Sequence, residues 1–257
     1  MVALSASTPK FDMGRVVRQT FSLIGQNWVL FGLLAILLMV APQTIWAVAL
    51  RLTGHGFPAG LSGYQSTWFW ATALINQATD AALLSGQIFA AMATIGGQRL
   101  TLGNCLRAAI RFFPSVFLIQ LGFAVALVVG LACFVVPGVM IGLSWMMAVP
   151  AEIGEQTGIV GSFRRSADLT ARRRNELLAL TAAFLLLSII LALGQGAAGW
   201  LIISARMSWA IWPVFALRPV LNGLLRTVAA VGLTAIYFEL RLLKEGVGPG
   251  QLATVFD

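Results

Sequence analysis

Residues 12–50 read DMGRVVRQTFSLIGQNWVLFGLLAILLMVAPQTIWAVAL: a short stretch carrying Gly14-x-x-x-Arg18 runs directly into an apolar segment long enough to cross a bilayer. The arrangement returns at Gly103 to Arg107 and at Gly161 to Arg165, each time ahead of another long apolar run. In the first copy Met13, Val16, Val17, Thr20, Phe21 and Ile24 share one helical face, and Arg15, Arg18, Gln19 and Ser22 share the other. Moving 89 positions along, from Gly14 to Gly103, puts Leu102, Cys105, Leu106, Ala109, Ile110 and Phe113 on the matching face. Asp12 and Thr101 hold the same place before each helix, and both side chains can accept from the free N–H groups of a first turn. Such helices suit the membrane interface, with their arginines toward headgroups. The pattern predicts an all-α chain forming a single membrane domain over residues 1–257. It is expected to be a polytopic bundle of six transmembrane helices in three hairpins, each preceded by a cytoplasmic interfacial amphipathic helix. The repeat units cover about 12–96, 101–157 and 160–240, with a cytoplasmic tail at 241–257.

Composition fits that reading. Of 257 residues, 59% are hydrophobic and 10% charged, with mean hydropathy +0.88, far from the roughly half apolar and quarter charged of soluble domains. No long apolar run follows a basic flank within residues 1–10, so the first span is expected to act as its own insertion signal. The net charge is +8. A nucleic-acid partner would ask for one basic stripe, whereas these cations are spread among the loops, which points to orientation and anionic lipid instead. The two cysteines, Cys105 in a basic loop and Cys133 near the far end of a span, are expected at opposite membrane faces, out of disulfide reach.

Six segments offer the roughly 20 apolar residues that a bilayer core requires: 28–50, 67–95, 116–136, 139–155, 177–203 and 220–240. The fourth is uncharged only as far as Ala151 and is divided from the third by Pro137-Gly138 alone. It therefore reads as a short tilted helix or a re-entrant one. With six spans, Lys10, Arg15, Arg18, Arg99, Arg107, Arg111, Arg164, Arg165, Arg172, Arg173, Arg174, Arg241 and Lys244 share one side, and Arg51, Arg206 and Arg218 the other. The positive-inside bias then makes both termini cytoplasmic, in a bacterial inner membrane. Trp46, Trp68, Trp70, Trp200, Trp209 and Trp212 collect at the opposite boundary, as an interfacial aromatic belt does.

The third copy departs from the other two. It puts Arg164 where Val17 and Leu106 stand, and Asp168 where Phe21 and Ile110 stand. A buried Arg and Asp need partners, so this helix is expected to meet protein, with Glu152 and Glu155 the nearest candidates and Arg165 beside them. An inner-face charge network of Glu152, Glu155, Arg164, Arg165 and Asp168 follows, read first as a structural lock. Arg15, Arg18, Arg107, Arg111, Arg172, Arg173 and Arg174 are the candidate ligands of anionic headgroups, the last three serving topology as well.

Pro137-Gly138, Trp145, Pro150-Ala151, Glu152, Glu155 and Arg164-Arg165-Ser166-x-Asp168-Leu169-Thr170, followed by Tyr237-Phe238-Glu239-Leu240-Arg241 and Lys244-Glu245-Gly246, form a recognisable set. In these residues the chain resembles the glycerophosphoryl diester phosphodiesterase membrane domain family and the YciC-like bacterial six-span membrane proteins. One departure is Arg172, where that family often carries Gly. The family takes its name from fusions to a soluble phosphodiesterase, and this chain carries no such domain. The resemblance thus implies a membrane module and not a hydrolase.

Polar residues inside the spans are the remaining signal. Asn76, Asp80 and Gln87 lie along one face of the second span, and Asn222, Arg226, Thr234 and Tyr237 along the sixth. An intramembrane carboxylate faces the bundle interior and marks a site or a structural pair. From the assigned span ends, Asp80 lies about 18 Å deep and Arg226 about 10 Å, an offset that an Arg side chain can largely bridge. The buried polar cluster of Asn76, Asp80, Gln87, Asn222 and Arg226 reads as an ion pair completed by amides, or as a polar cavity holding a headgroup or small solute. Gly194, Ala198 and Gly199 beside Gln195 read as close helix packing. One histidine, His55, in a Gly/Pro-rich loop, and no cysteine cluster leave no material for a metal site, a cofactor or acid–base catalysis. The expected function is that of a non-enzymatic membrane protein engaging anionic lipids and organising lipid, another membrane protein or a second copy of itself. The alternatives are a transporter or channel for a small or lipidic solute at Asp80 and Arg226, and a membrane enzyme acting on lipid phosphates.

Overall fold

The computed structural model describes residues 11–54, 67–98, 100–171, 173–204 and 211–245, and among them there is helix and no strand. Lys10, His55, Arg99, Arg172, Arg206, Trp209 and the tail beyond Glu245 lie outside the described residues. Six helical segments are long and apolar enough to cross a membrane: Trp28–Leu52, Thr67–Ile95, Leu102–Cys133, Val135–Glu155, Arg174–Leu201 and Leu217–Glu245.

Helix α1, Met13–Gln26, is capped by the Asp12 carboxylate, which accepts from the Arg15 backbone N–H at 3.0 Å. It stops at Asn27, and the first span begins afresh as α2, Trp28–Ala35, passes through a π-helical turn at Ile36–Val40 and continues as α3, Ala41–Leu52. Pro42 enters the first turn of α3, where its missing N–H and its ring disfavour a regular junction. Helix α4, Thr67–Ile95, runs antiparallel to this span, as the contacts Asn27–Thr94, Gln43–Thr79 and Trp46–Thr72 require.

The second basic copy is not a separate helix. Thr101 caps Asn104 at 3.3 Å as expected, but Leu102–Cys133 is one unbroken helix, α5, carrying Pro114 inside it. Pro114 stands between the basic turn and the apolar run and removes one backbone bond without ending the helix. Cys105 is accordingly a buried residue of α5 rather than of a loop, on the same helix as exposed Cys133.

The boundary between the third and fourth spans falls at Phe134, which is extended, and not at Pro137-Gly138. Those two residues lie in α6, Val135–Trp145, where Gly138 meets Gly130 of α5 so closely that a Cβ on Gly130 would stand 2.9 Å from the Gly138 Cα. The glycines are there for contact between backbones, not for the turn. Helix α7, Ala148–Glu155, completes the segment and is buried from Ala148 to Gly154. A left-handed turn at Gln156 leads into α8, Gly158–Thr170.

Helix α9, Arg174–Ser204, and helix α10, Ile211–Glu245, form the last pair. The packing expected of Gly194 and Gly199 is not seen: a Cβ at either would meet nothing within 4 Å. Helix α9 touches chiefly α10 and α6, and that glycine face is left open. Helix α10, by contrast, packs on α1, α4 and α9, and on the first span.

Close backbone contact and open space make opposite demands on a methyl group. Gly138→Ala is expected to lower stability by about 1–3 kcal/mol through overpacking, while Gly194→Ala changes it by no more than about 0.5 kcal/mol. Thermal unfolding of the two variants in detergent measures the difference.

Candidate functional site

The bundle has one charged end, built around α7. Arg165 of α8 donates to both Glu155 oxygens at 2.8 and 3.0 Å, and the Tyr237 hydroxyl donates to the same carboxylate at 2.7 Å. Arg165 also pairs with Glu245, which Arg241 holds at 3.0 Å. Lys244 closes the set on Asp168 at 2.5 Å. Three cations meet three carboxylates, so the cluster is neutral. Glu152 is separate, accepting from Ser162 at 2.7 Å inside the protein.

The burial expected of Arg164 and Asp168 is not seen, and the two do not pair with each other. Arg164 is exposed, and the Asp168 side chain is 58% exposed. The buried face of α8 is Ser162, Ser166, Leu169 and Thr170, turned about one residue from the stripe inherited from α1. The Ser166 hydroxyl donates to the Ser144 carbonyl and accepts from the Met147 N–H, which fixes that rotation. Phe21 (61%) and Ile110 (75%), at the position of Asp168, are exposed as well. Apolarity at that position therefore never meant burial in protein. The hydrogen bond from Lys244, with the nearby Arg165 charge, holds the Asp168 carboxyl below the usual carboxylate range.

Of the other arginines, Arg15 approaches Glu239 at 3.6 Å, Arg111 donates to Gln156 at 3.2 Å, and Arg173 pairs with Glu176 at 3.3 Å. Arg174 is half-buried, with its Nε lacking a hydrogen-bond partner. Arg18 and Arg107 are exposed, and no carboxylate pairs with them among the described residues.

The second site lies within the spans. Arg226 Nε stands 3.0 Å from Asp80 Oδ1. The predicted depth offset vanishes because α10 begins at Ile211, earlier than expected, so Arg226 is about 22 Å along its helix and Asp80 about 20 Å along α4. Gln120 of α5 donates to Asp80 at 3.1 Å and accepts from Gln77 at 2.9 Å. Gln120 escapes a search for polar stripes because it stands alone in its apolar span. Gln87 belongs elsewhere: it is fully buried and donates to Thr227 at 2.7 Å. Asn222 accepts from Gln195 at 3.5 Å, and Tyr237 belongs to the charged end.

Two cavities meet at this pair. The more polar one, of about 620 Å³, is lined by Gln43, Thr72, Asn76, Arg218 and Asn222 beside apolar residues such as Met39, Trp46, Phe69 and Leu185. An apolar one of about 520 Å³ is lined by residues including Phe21, Leu84, Ile119, Phe123, Leu180 and Ile236. Asp80, Arg226 and Phe184 line both. Each volume is in the range of small-molecule sites. The polar cavity lies toward the end where Trp46 and Trp68 meet, 6.3 Å apart, and the apolar one toward α1. Among the described residues, no group of three or more His, Cys, Asp or Glu is placed to hold a metal ion. No family model, curated protein or solved structure matches the chain.

Arg165→Gln is expected to cost about 1–3 kcal/mol by leaving Glu155 and Glu245 short of a donor, and Arg164→Gln less than about 0.5 kcal/mol; chemical denaturation in micelles compares them. With its folded pKa depressed, Asp168 contributes stability above its unfolded value of about 3.9 that is lost as pH falls through the lower folded value. The melting temperature should drop more on acidification in the parent than in Asp168→Asn.

Proposed function

We propose that the protein is a non-enzymatic module of the bacterial inner membrane, both termini cytoplasmic, whose charged end engages anionic lipid headgroups. The observation that carries this reading is shared by three helices. Arg18 stands one turn from exposed Phe21, Arg107 from exposed Ile110, and Arg164 from exposed Val160. A cation without a carboxylate partner beside an apolar side chain with no protein over it suits the boundary between headgroup and acyl chain. Arg15, Arg111, Arg173 and Arg174 are already engaged or half-buried and contribute less. The positive-inside bias supports the orientation, and the open glycine face of α9 is where a second membrane protein or a copy of the chain would pack. Six helices of spanning length fit the glycerophosphoryl diester phosphodiesterase membrane domain resemblance, which adds a membrane module without hydrolase chemistry.

A second reading, transport of a small or lipidic solute, is favoured by the two cavities that touch only at Asp80, Arg226 and Phe184.

Surface lipid contacts are electrostatic and screened by salt. Adding phosphatidylglycerol to the detergent-solubilised protein should raise its melting temperature by a few degrees at low salt. That shift should shrink in a variant combining Arg18→Gln, Arg107→Gln and Arg164→Gln. An equal shift with phosphatidylcholine, or an undiminished one in the variant, would contradict the proposal.

A further inference from the structure

The polar cavity carries an unbalanced charge. Arg218 and Arg226 line it together with a single carboxylate, Asp80, among the described residues, and no ion pair engages Arg218 there. Arg218, Asn222 and Arg226 follow one another at i, i+4 and i+8, a ladder of donors down one face of α10. The Arg226 side chain is 55% exposed even while it holds Asp80, whose own side chain is 15% exposed. One edge of the guanidinium pairs with the carboxylate, and a guanidinium has five donors. Donors therefore remain on Arg226 for a second anion, and Arg218, exposed near the start of α10, offers a further guanidinium about two turns away.

Past Phe184 the lining changes to Leu84, Ile119, Phe123, Leu180 and Ile236. A chamber lined by two arginines, sharing Asp80, Arg226 and Phe184 with a more apolar one, matches a molecule with a charged head and a hydrocarbon chain. We propose that the two cavities form one site for an anionic amphiphile. Its phosphate headgroup lies between Arg218 and Arg226, and its acyl chain lies in the apolar chamber.

The chain's contribution is one of shape, because lipid tails are as apolar as the residues that line the chamber. Binding strength comes from the head, through charge-assisted hydrogen bonds to guanidinium groups. Helix α9, which supplies Phe184 and Leu180 and packs on few neighbours, is the wall across which such a molecule enters. The inference rests on the cavities that favour the transport reading but not on transport itself. A protein that holds the lipid without moving it between leaflets would end that reading and leave this one standing.

The test counts tightly held lipid in the purified protein by native mass spectrometry. It uses the Arg18→Gln, Arg107→Gln, Arg164→Gln background, purified at high salt so that surface contacts are screened. The expected result is one retained phosphatidylglycerol per protein, with phosphatidylcholine not retained. Arg218→Gln or Arg226→Gln should weaken retention about tenfold or more, the loss of a hydrogen bond to a charged group. Leu180→Trp, which fills the apolar chamber, should do the same. Asp80→Asn removes the competing carboxylate and should hold the lipid at least as tightly as the parent. If Arg226→Gln fails to fold, Arg218→Gln still decides, since no ion pair engages Arg218 among the described residues. Equal retention of phosphatidylcholine would overturn the proposal. So would inorganic phosphate displacing the lipid at similar concentration, because the site would then be one for a free anion. Parallel losses in Asp80→Asn and Arg226→Gln would also overturn it, by reducing the pair to a structural bond.

Discussion

A guanidinium partway along a membrane span has to be satisfied where it stands, because hydrocarbon supplies no hydrogen bonds. Arg226 meets that demand with Asp80, and the choice constrains three helices together. Helix α10 must bring Arg226 to the depth of Asp80 on α4, and α5 must bring Gln120 beside the same carboxylate with Gln77 behind it. Helix α9 has no part in this bond. Its position is free of the register that ties α4, α5 and α10, and the two cavities lie along the side of the bundle that α9 covers.

The charged end repeats the logic with a different balance. Helix α7 is buried through Gly154, and Glu155 follows as the point where Arg165, Tyr237 and Arg241 converge. Equal numbers of cations and carboxylates leave no charge to be met from outside. This cluster can be structural with nothing bound, whereas the described side chains lining the other cavity hold two arginines against one carboxylate. Both lie on α10, which ties the ends of the molecule together through Arg226, Tyr237, Arg241 and Glu245.

Much of this architecture is legible in the sequence because membrane spans are set by length and hydropathy, and six segments of that kind stand out. The first-turn caps at Asp12 and Thr101 were readable from residue type alone. The meeting of Asp80 with Arg226 was readable as well, since two opposite charges in apolar spans have few other partners. Burial was less legible. In a soluble protein an apolar stripe marks the core, but Phe21 and Ile110 face outward, and so does Asp168 at the same position of α8. A membrane removes the penalty that would force those side chains inward, so amphipathicity no longer says which face meets protein. Glycine was ambiguous for the same reason. Gly130 and Gly138 let two backbones touch, while Gly194 and Gly199 face open space, and only the opposing helix distinguishes the cases. Gln120, an isolated amide, gave no periodic signal at all.

Function follows from which polar groups the fold leaves unbalanced. Arg18, Arg107 and Arg164 stand exposed at one end, while Arg218 and Arg226, also exposed, line a cavity next to a more apolar one. Both placements suit contact with anionic lipid, the first at the surface and the second inside. The central claim concerns the second, and a cryo-EM structure of the protein in nanodiscs of phosphatidylglycerol tests it most directly. The account predicts elongated density running from between Arg218 and Arg226 past Phe184 into the chamber lined by Leu84 and Phe123. Continuous water or collapsed walls in both cavities, with lipid density confined to the outer surface of the bundle, would contradict it.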